Sequence, residues 1–319
     1  MERREFLICA AATMGAHLLP AQTHVQEGSV AGISELTYHI LGVPLRAGSL
    51  VPGNENDAQA YRDVQFIARM HSAGIKAVDD GDVAIPSYLP HHSIPPIRSW
   101  PAPRIAWECV SERVTALLKS PNQVPLLIGC DCSVVVGTTQ ALQKTSNEEV
   151  HVLYVDGDFD DAAPEAARAN SAAACAVWLL TNQSPFWAGP PLQSSQVTVI
   201  GWSSPSKSLR SKVGSISLAD IRRWGARAAG KQVLQSIPTS ASLLLHFDID
   251  VLQRKAMAAA YFPHQEGLTI GEVTELLGSL LEDPRIRIVE ITEYAALRDL
   301  DQQNINELVG LLCEAMRKK

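Results

Sequence analysis

From residue 37 onward the apolar positions fall in short continuous runs that alternate with longer stretches of helical periodicity. The runs Thr37–Leu45, Ile75–Val78, Val124–Ile128, Val150–Val155, Val197–Trp202, Leu243–Phe247 and Ile286–Ile291 predict strands. The intervening and following stretches Ala58–His71, Ser111–Leu118, Ser133–Lys144, Ala172–Thr181, Leu218–Ser236, Ile270–Leu281 and Ile305–Arg317 predict helices. Strands that are apolar throughout, rather than at alternate positions, are buried on both faces, and intervening helices supply the crossovers that a parallel sheet requires. The expected fold class is therefore α/β, a three-layer α/β/α arrangement with a mostly parallel central sheet. Ile85–Pro103, with six prolines and the adjacent pair His91 and His92, interrupts the pattern. It reads as a long irregular loop, since proline cannot donate to a central ladder. There is no internal repeat.

Composition narrows the function classes. A formal net charge of -7 argues against a nucleic acid or an anionic membrane surface as partner, because neither is attracted to such a protein. No stretch of the body is long and apolar enough to span a bilayer. Six cysteines scattered over 319 residues do not make a disulfide framework, so thiol packing or metal ligation accounts for them better.

The first residues stand apart. Arg3-Arg4-Glu5-Phe6-Leu7, then the apolar Ile8–Ala12 and the small residues around Pro20-Ala21, resemble a twin-arginine export signal. Residues 1–23 are accordingly set aside and residues 24–319 expected to form one domain. An exported or periplasmic location follows from that reading, and a cytoplasmic one if the segment is an ordinary N-terminal extension.

Three segments carry the candidate chemistry: Gly129-Cys130-Asp131-Cys132-Ser133, Asp156-Gly157-Asp158-Phe159-Asp160 and His246-Phe247-Asp248-Ile249-Asp250. Each follows or closes a predicted strand, and ligand sites of open parallel sheets lie outside the carboxyl ends of the strands. Side chains two apart on an extended backbone share a face, so Asp156, Asp158 and Asp160 can converge, as can Asp248 and Asp250. A single aspartate there is a common turn or helix-cap residue. Carboxylates on three strand ends, repeated on two of them, need a cation instead, since apposed buried acids repel and raise one another's pKa.

The order of these segments, together with Leu41-Gly42-Val43-Pro44, Gly81-Asp82-Val83, Gly267-Leu268-Thr269 and Glu290-Ile291-Thr292-Glu293, resembles the arginase–agmatinase–formimidoylglutamase (ureohydrolase) family from about Thr37 to the C-terminus. The resemblance implies an arginase-like fold and a binuclear manganese site. It would place Cys132, Asp156, Asp160 and Asp248 on the outer metal and Asp156, Asp158, Asp248 and Asp250 on the inner one, with Asp156 and Asp248 bridging. It implies hydrolysis of a guanidinium or amidine carbon by a metal-bridging hydroxide, with Asp131 bonded to that hydroxide and Glu293 receiving the cationic group of a small substrate. Relatives with this fold are often trimers or hexamers.

Several positions depart from the family pattern. Cys132 and Asp158 stand where common members have histidine. Thiolate favours zinc or iron, whereas an all-carboxylate set favours manganese, magnesium or calcium, so two Mn2+ are expected with Zn2+ or Fe2+ as alternatives. Asn170–Cys175 contains no counterpart of the arginases' proton-relay histidine, and Tyr294-Ala295 replaces the usual Asn-Pro. These changes argue against arginine and toward other linear amidines or guanidines. His246 shares the strand face of Asp248 and is expected to orient a ligand or to be a satisfied strand residue. The alternative is a catalytically impaired arginase-fold protein that binds a metal or a cationic metabolite.

Overall fold

The computed structural model describes residues 36–317 except 45, 52, 54, 55, 130 and 204–211. The expected export segment lies outside the described residues. Among the described residues the strands are β1 (Thr37–Val43), β2 (Ala77–Asp82), β3 (Gln123–Gly129), β4 (Val150–Val155), β5 (Val197–Ile200), β6 (Gly214–Ile216), β7 (Ser242–Asp248) and β8 (Ile286–Thr292). They form one sheet in the order β2-β1-β3-β8-β7-β4-β5-β6, and every pairing is parallel.

Strand residues alternate between two cores. Leu126, Ile128, Leu153, Val155, Leu243, Leu245 and Phe247 face α1 (Asp57–Asp63), α2 (Phe66–Ser72), α6 (Leu218–Trp224), α7 (Ala226–Ser236), α8 (Ile270–Leu281) and α9 (Gln303–Met316). Leu127, Val152, Tyr154, Val199 and Leu244 face α3 (Ala102–Leu118), α4 (Val134–Thr145) and α5 (Ala176–Thr181). Burial of both strand faces is what made the sequence runs continuous. No helix among the described residues is long and apolar enough to cross a membrane.

The differences from the expected elements have local causes. The helix expected over Ala58–His71 is two helices, broken at Gln65, whose φ of 58° is left-handed. Leu218–Ser236 is likewise split, at Gly225 with φ 86°. Helix α3 starts at Ala102, nine residues before the expected Ser111, because Pro103 sits in the first turn, where a missing N–H costs nothing. The strand expected at Ile75–Val78 is β2, shifted to Ala77–Asp82; its run through Asp79, Asp80 and Asp82 is what the apolar pattern did not show. It is an edge strand, where charge is tolerated, and Arg62 bonds Asp79 and Asp82 at 2.8 Å each. The three-residue β6 on the other edge was not expected. Thr269 opens α8 with reciprocal bonds, its Oγ1 accepting from the Glu272 N–H (3.2 Å) while Glu272 accepts from the Thr269 N–H (2.8 Å).

Candidate metal centre

The ladder places the acidic segments in rows. Tyr154 of β4, His246 of β7 and Glu290 of β8 lie side by side in register, and one row further along Asp248 is paired with Thr292. Gly129, with φ 92°, turns the chain at the end of β3, in a conformation that L side chains rarely adopt, and so delivers Asp131 and Cys132 beside these rows.

Two of the strand-end aspartates fold into the same local turn. The Asp158 N–H donates to Asp156 Oδ1 at 2.6 Å, and the Asp250 N–H donates to Asp248 Oδ1 at 2.7 Å. The turns are tied together by the Gly157 N–H, which donates to Asp250 Oδ1 at 3.0 Å. Gly157 has to be glycine, because a Cβ there would lie 2.6 Å from the His264 ring and 2.9 Å from the Asp250 carbonyl. Asp248 Oδ2 accepts from the Cys132 thiol at 2.8 Å. Asp156 Oδ2, although buried, has no hydrogen-bond partner, and neither has Glu293 Oε2.

The structure therefore brings together Cys132, Asp156, Asp158, Asp248, Asp250 and Glu293. Among the described residues, four sets offer ligand atoms mutually within 4.8 Å: Cys132, Asp156 and His246; Cys132, Asp248 and Glu293; Asp156, Asp248 and Asp250; and Asp158, Asp250 and His264. Asp160 belongs to none of them. Its Oδ2 accepts from the Tyr154 hydroxyl at 2.7 Å. Asp131 is fully buried as a turn residue, accepting from the Gly48 N–H (2.8 Å), the Ser133 N–H (3.0 Å) and the Ser133 hydroxyl.

Burial of so many acids has electrostatic consequences. Burial first, then the charges of Asp250 and Asp248, hold the Asp156 carboxyl well above the usual carboxylate range. Asp248 is raised by burial, Asp250 and Glu293, and Glu293 by burial, Asp131 and Asp250. The Cys132 thiol is pushed up by burial and by Asp248. A divalent cation reverses this logic, since it favours the ionised carboxylate and thiolate together. The unpartnered oxygens and the carboxylate, thiol and imidazole donor set fit a metal.

Four residues to which the sequence reading gave no role complete the surroundings. His264, on the segment between β7 and α8, places Nε2 3.4 Å from Asp158 Oδ2 and 3.5 Å from Asp250 Oδ2, and these acids push its pKa up to about 10. Glu290 accepts from or donates to His246 Nδ1 at 2.7 Å, with both side chains fully buried. Tyr154 stacks on the His246 ring, centroids 4.3 Å apart. Arg46 is buried, 3.3 Å from Asp57 and with its guanidinium 3.6 Å above the Tyr261 ring, and its charge offsets part of the rise that burial gives the carboxyls of Asp131 and Glu293. Tyr154 stands two before Asp156 on one strand face and was legible in principle, as Glu290 was within its motif. Nothing local marks His264 or Arg46.

A cavity of about 260 Å³ opens beside Arg46, bordered also by Ala47, Tyr88, His91 and Ser99. The segment from Arg46 to Gly48 thus joins this cavity to the cluster through the Gly48–Asp131 bond. His92 folds back into its own loop, its ring nitrogens meeting the Trp100 carbonyl and the Ile94 N–H. Arg298 donates to the Ala260 and Tyr261 carbonyls.

A parallel three-layer α/β sheet with carboxylates, a thiol and imidazoles gathered at its strand ends offers a donor set that could hold a divalent cation. The chain belongs to the arginase family, whose model matches residues 36–317. It is 20% identical over 287 residues to an arginase of Staphylococcus aureus (strain COL), covering 86% of this chain and 94% of that protein. Among solved structures, arginase from Bacillus caldovelox superimposes with a TM-score of 0.77 at 20% identity, covering 89% of this chain and 99% of the other. Formimidoylglutamase from Bacillus subtilis gives 0.67 at 17% identity, covering 88% and 87%.

Proposed function

We propose that this chain is a metal-dependent hydrolase of C–N bonds in linear amidines or guanidines, closer in use to agmatinases and formimidoylglutamases than to true arginases. The observation that carries the reading is the buried Asp156 oxygen without a partner, set among Cys132, Asp248 and Asp250. Cys132, Asp156, Asp158, Asp160, Asp248 and Asp250 are the proposed ligands. Asp160 joins them if its Tyr154 bond is exchanged for a metal. When bound, the metal pair would supply Lewis acidity and lower the pKa of water at the site.

The chain's own residues do the rest. Glu293, buried with one oxygen unengaged, pairs with the cationic amidino group and fixes its carbon over the cluster. Asp131 is locked by Gly48 and Ser133, so its carboxylate is a fixed acceptor that needs no reorganisation. His246, on the same strand as Asp248, is itself fixed by Glu290 and Tyr154.

One observation favours a second reading, a protein that binds a metal or cationic metabolite without turnover. Where the arginases place a proton-relay histidine, Asn170 donates to the Ala163 carbonyl (3.1 Å) and Ser171 accepts from the Ala174 N–H (3.1 Å), so both are spent locally. The deciding experiment is elemental analysis of the full chain purified without chelator, followed by a screen of amidino, guanidino and formimidoyl compounds for released urea, ammonia or formamide. About two metal equivalents with turnover that Glu293→Gln abolishes, metal content unchanged, is the expected result. Two equivalents with no turnover of any compound would overturn the hydrolase reading in favour of the second.

A further inference from the structure

Two imidazoles approach the cluster from outside the aspartate pairs, and each meets a different part of it. One nitrogen of His246 lies within 4.8 Å of both Cys132 Sγ and an Asp156 oxygen. Its Nδ1 is held by Glu290 Oε2 at 2.7 Å, which leaves Nε2 as the nitrogen turned toward them; its nearest partner is the Thr292 hydroxyl, at a long 3.4 Å. A ring whose far nitrogen donates to a buried carboxylate is the arrangement that fixes the tautomer and raises the basicity of a ligating histidine. Stacking on Tyr154 fixes the ring plane as well.

His264 stands at the other end. Its Nε2 is 3.4 and 3.5 Å from oxygens of Asp158 and Asp250, without a hydrogen bond of good geometry to either. Donors on one tetrahedral ion with bonds of about 2.0–2.1 Å are separated by about 3.3–3.4 Å. The spacing is that of ligands sharing an ion. Asp248 lies between the two groups, since its carboxylate reaches both Cys132 and Asp250. The unpartnered, buried Asp156 Oδ2 points to a cation independently of either histidine.

We infer that His246 and His264 are themselves metal ligands, one for each position of a two-metal centre. The first position is Cys132, Asp156 and His246, and the second is Asp158, Asp250 and His264, with Asp248 between. The two positions differ in chemistry. Sulfur, nitrogen and oxygen donors together select zinc or another soft-tolerant ion, whereas two carboxylates and one imidazole also accept manganese. The donor sets of the two positions therefore differ, and zinc suits the one beside Cys132.

This inference concerns how the metal is held and does not depend on the hydrolase reading. The test uses the full chain, stripped with chelator and reloaded with zinc, and reads the ligands by X-ray absorption. A sulfur shell together with imidazole scattering is expected; an oxygen-only shell, or no zinc bound, overturns the inference. A cobalt titration then separates the positions. His246→Ala should weaken the ion that gives the thiolate-to-cobalt charge-transfer band by at least about tenfold, and His264→Ala should spare that band and weaken the other ion. Glu290→Gln, which leaves the ring in place, should weaken the first ion by about 10- to 100-fold and serves if His246→Ala does not fold. Wild-type affinity and spectra in all the variants that fold would refute the assignment. Metal held through both histidines without turnover of any amidino compound would leave it standing and remove the hydrolase. Turnover with both histidine variants fully metallated would do the reverse.

Discussion

Stripping the cation from this protein should invert the dependence of its stability on pH. Asp156, Asp160, Asp248 and Glu293 all have carboxyls raised well above their ordinary values, first by burial and then by one another's charge or that of nearby acids. In the unfolded chain they titrate near about 3.9 for Asp and 4.3 for Glu. The metal-free fold therefore holds more protons than the unfolded chain above about pH 4, and its stability falls as pH rises. Each proton retained only in the fold changes stability by about 1.4 kcal/mol per pH unit. If half of the four groups keep theirs, the slope is about 2.7 kcal/mol per unit, or about 5 kcal/mol from pH 5 to pH 7. That is a large share of an ordinary folding free energy of about 5–15 kcal/mol. His264, pushed up to about 10, has the same sign and extends the loss above neutrality. In the metal-loaded protein the ion favours the ionised groups, so protons compete with it and stability is lost on acidification instead. Urea unfolding at several pH values, with and without chelator, gives both slopes. A chelated protein whose stability is flat or rises between pH 5 and 7 would show that the acids are not held apposed as described.

Three further outcomes follow from the geometry. Asp156→Ala or Asp248→Ala should reduce metal content at both positions, whereas Asp158→Ala should weaken mainly one; equal metal content in all three, measured by elemental analysis, contradicts the arrangement. Arg46→Met leaves Asp57 buried without its 3.3 Å cation and should cost about 3 kcal/mol in urea unfolding, with a loss under about 1 kcal/mol showing the pair to be dispensable. Gly157→Ala places a Cβ 2.6 Å from the His264 ring, so about 1–3 kcal/mol of stability should go, together with affinity for the ion beside Asp158, and wild-type metal titration would refute the contact.

Much of this protein is written locally. Runs apolar at every position announce strands covered on both faces, and the core divides by alternation along those runs, with Leu243 and Leu245 to one side and Leu244 to the other. The paired aspartates at 156, 158, 248 and 250 are legible as acids closing strands, but a local turn after each strand, not the strand alternation, brings each pair together. Local pattern misleads where a neighbour decides. The acid-rich β2 is stable because Arg62 on α1 bonds it, and α3 begins among prolines that suggested only a loop. The site divides along the same line. Which segments carry acids is sequence information, whereas which oxygens are engaged depends on partners brought in from other strands. Asp160 is taken by Tyr154, and Asp250 by Gly157. His264 and Arg46 have no local signature at all, because nothing in their neighbouring residues reflects the carboxylates they face. Those encounters are made by the stacking of parallel strands in the order β3-β8-β7-β4, which sets residues far apart along the chain side by side. Sequence by itself determined the layers and the supply of acids, because both arise from the short-range repeat of the backbone. Tertiary structure alone decided which donors share a position, because that depends on strand order and register between distant segments.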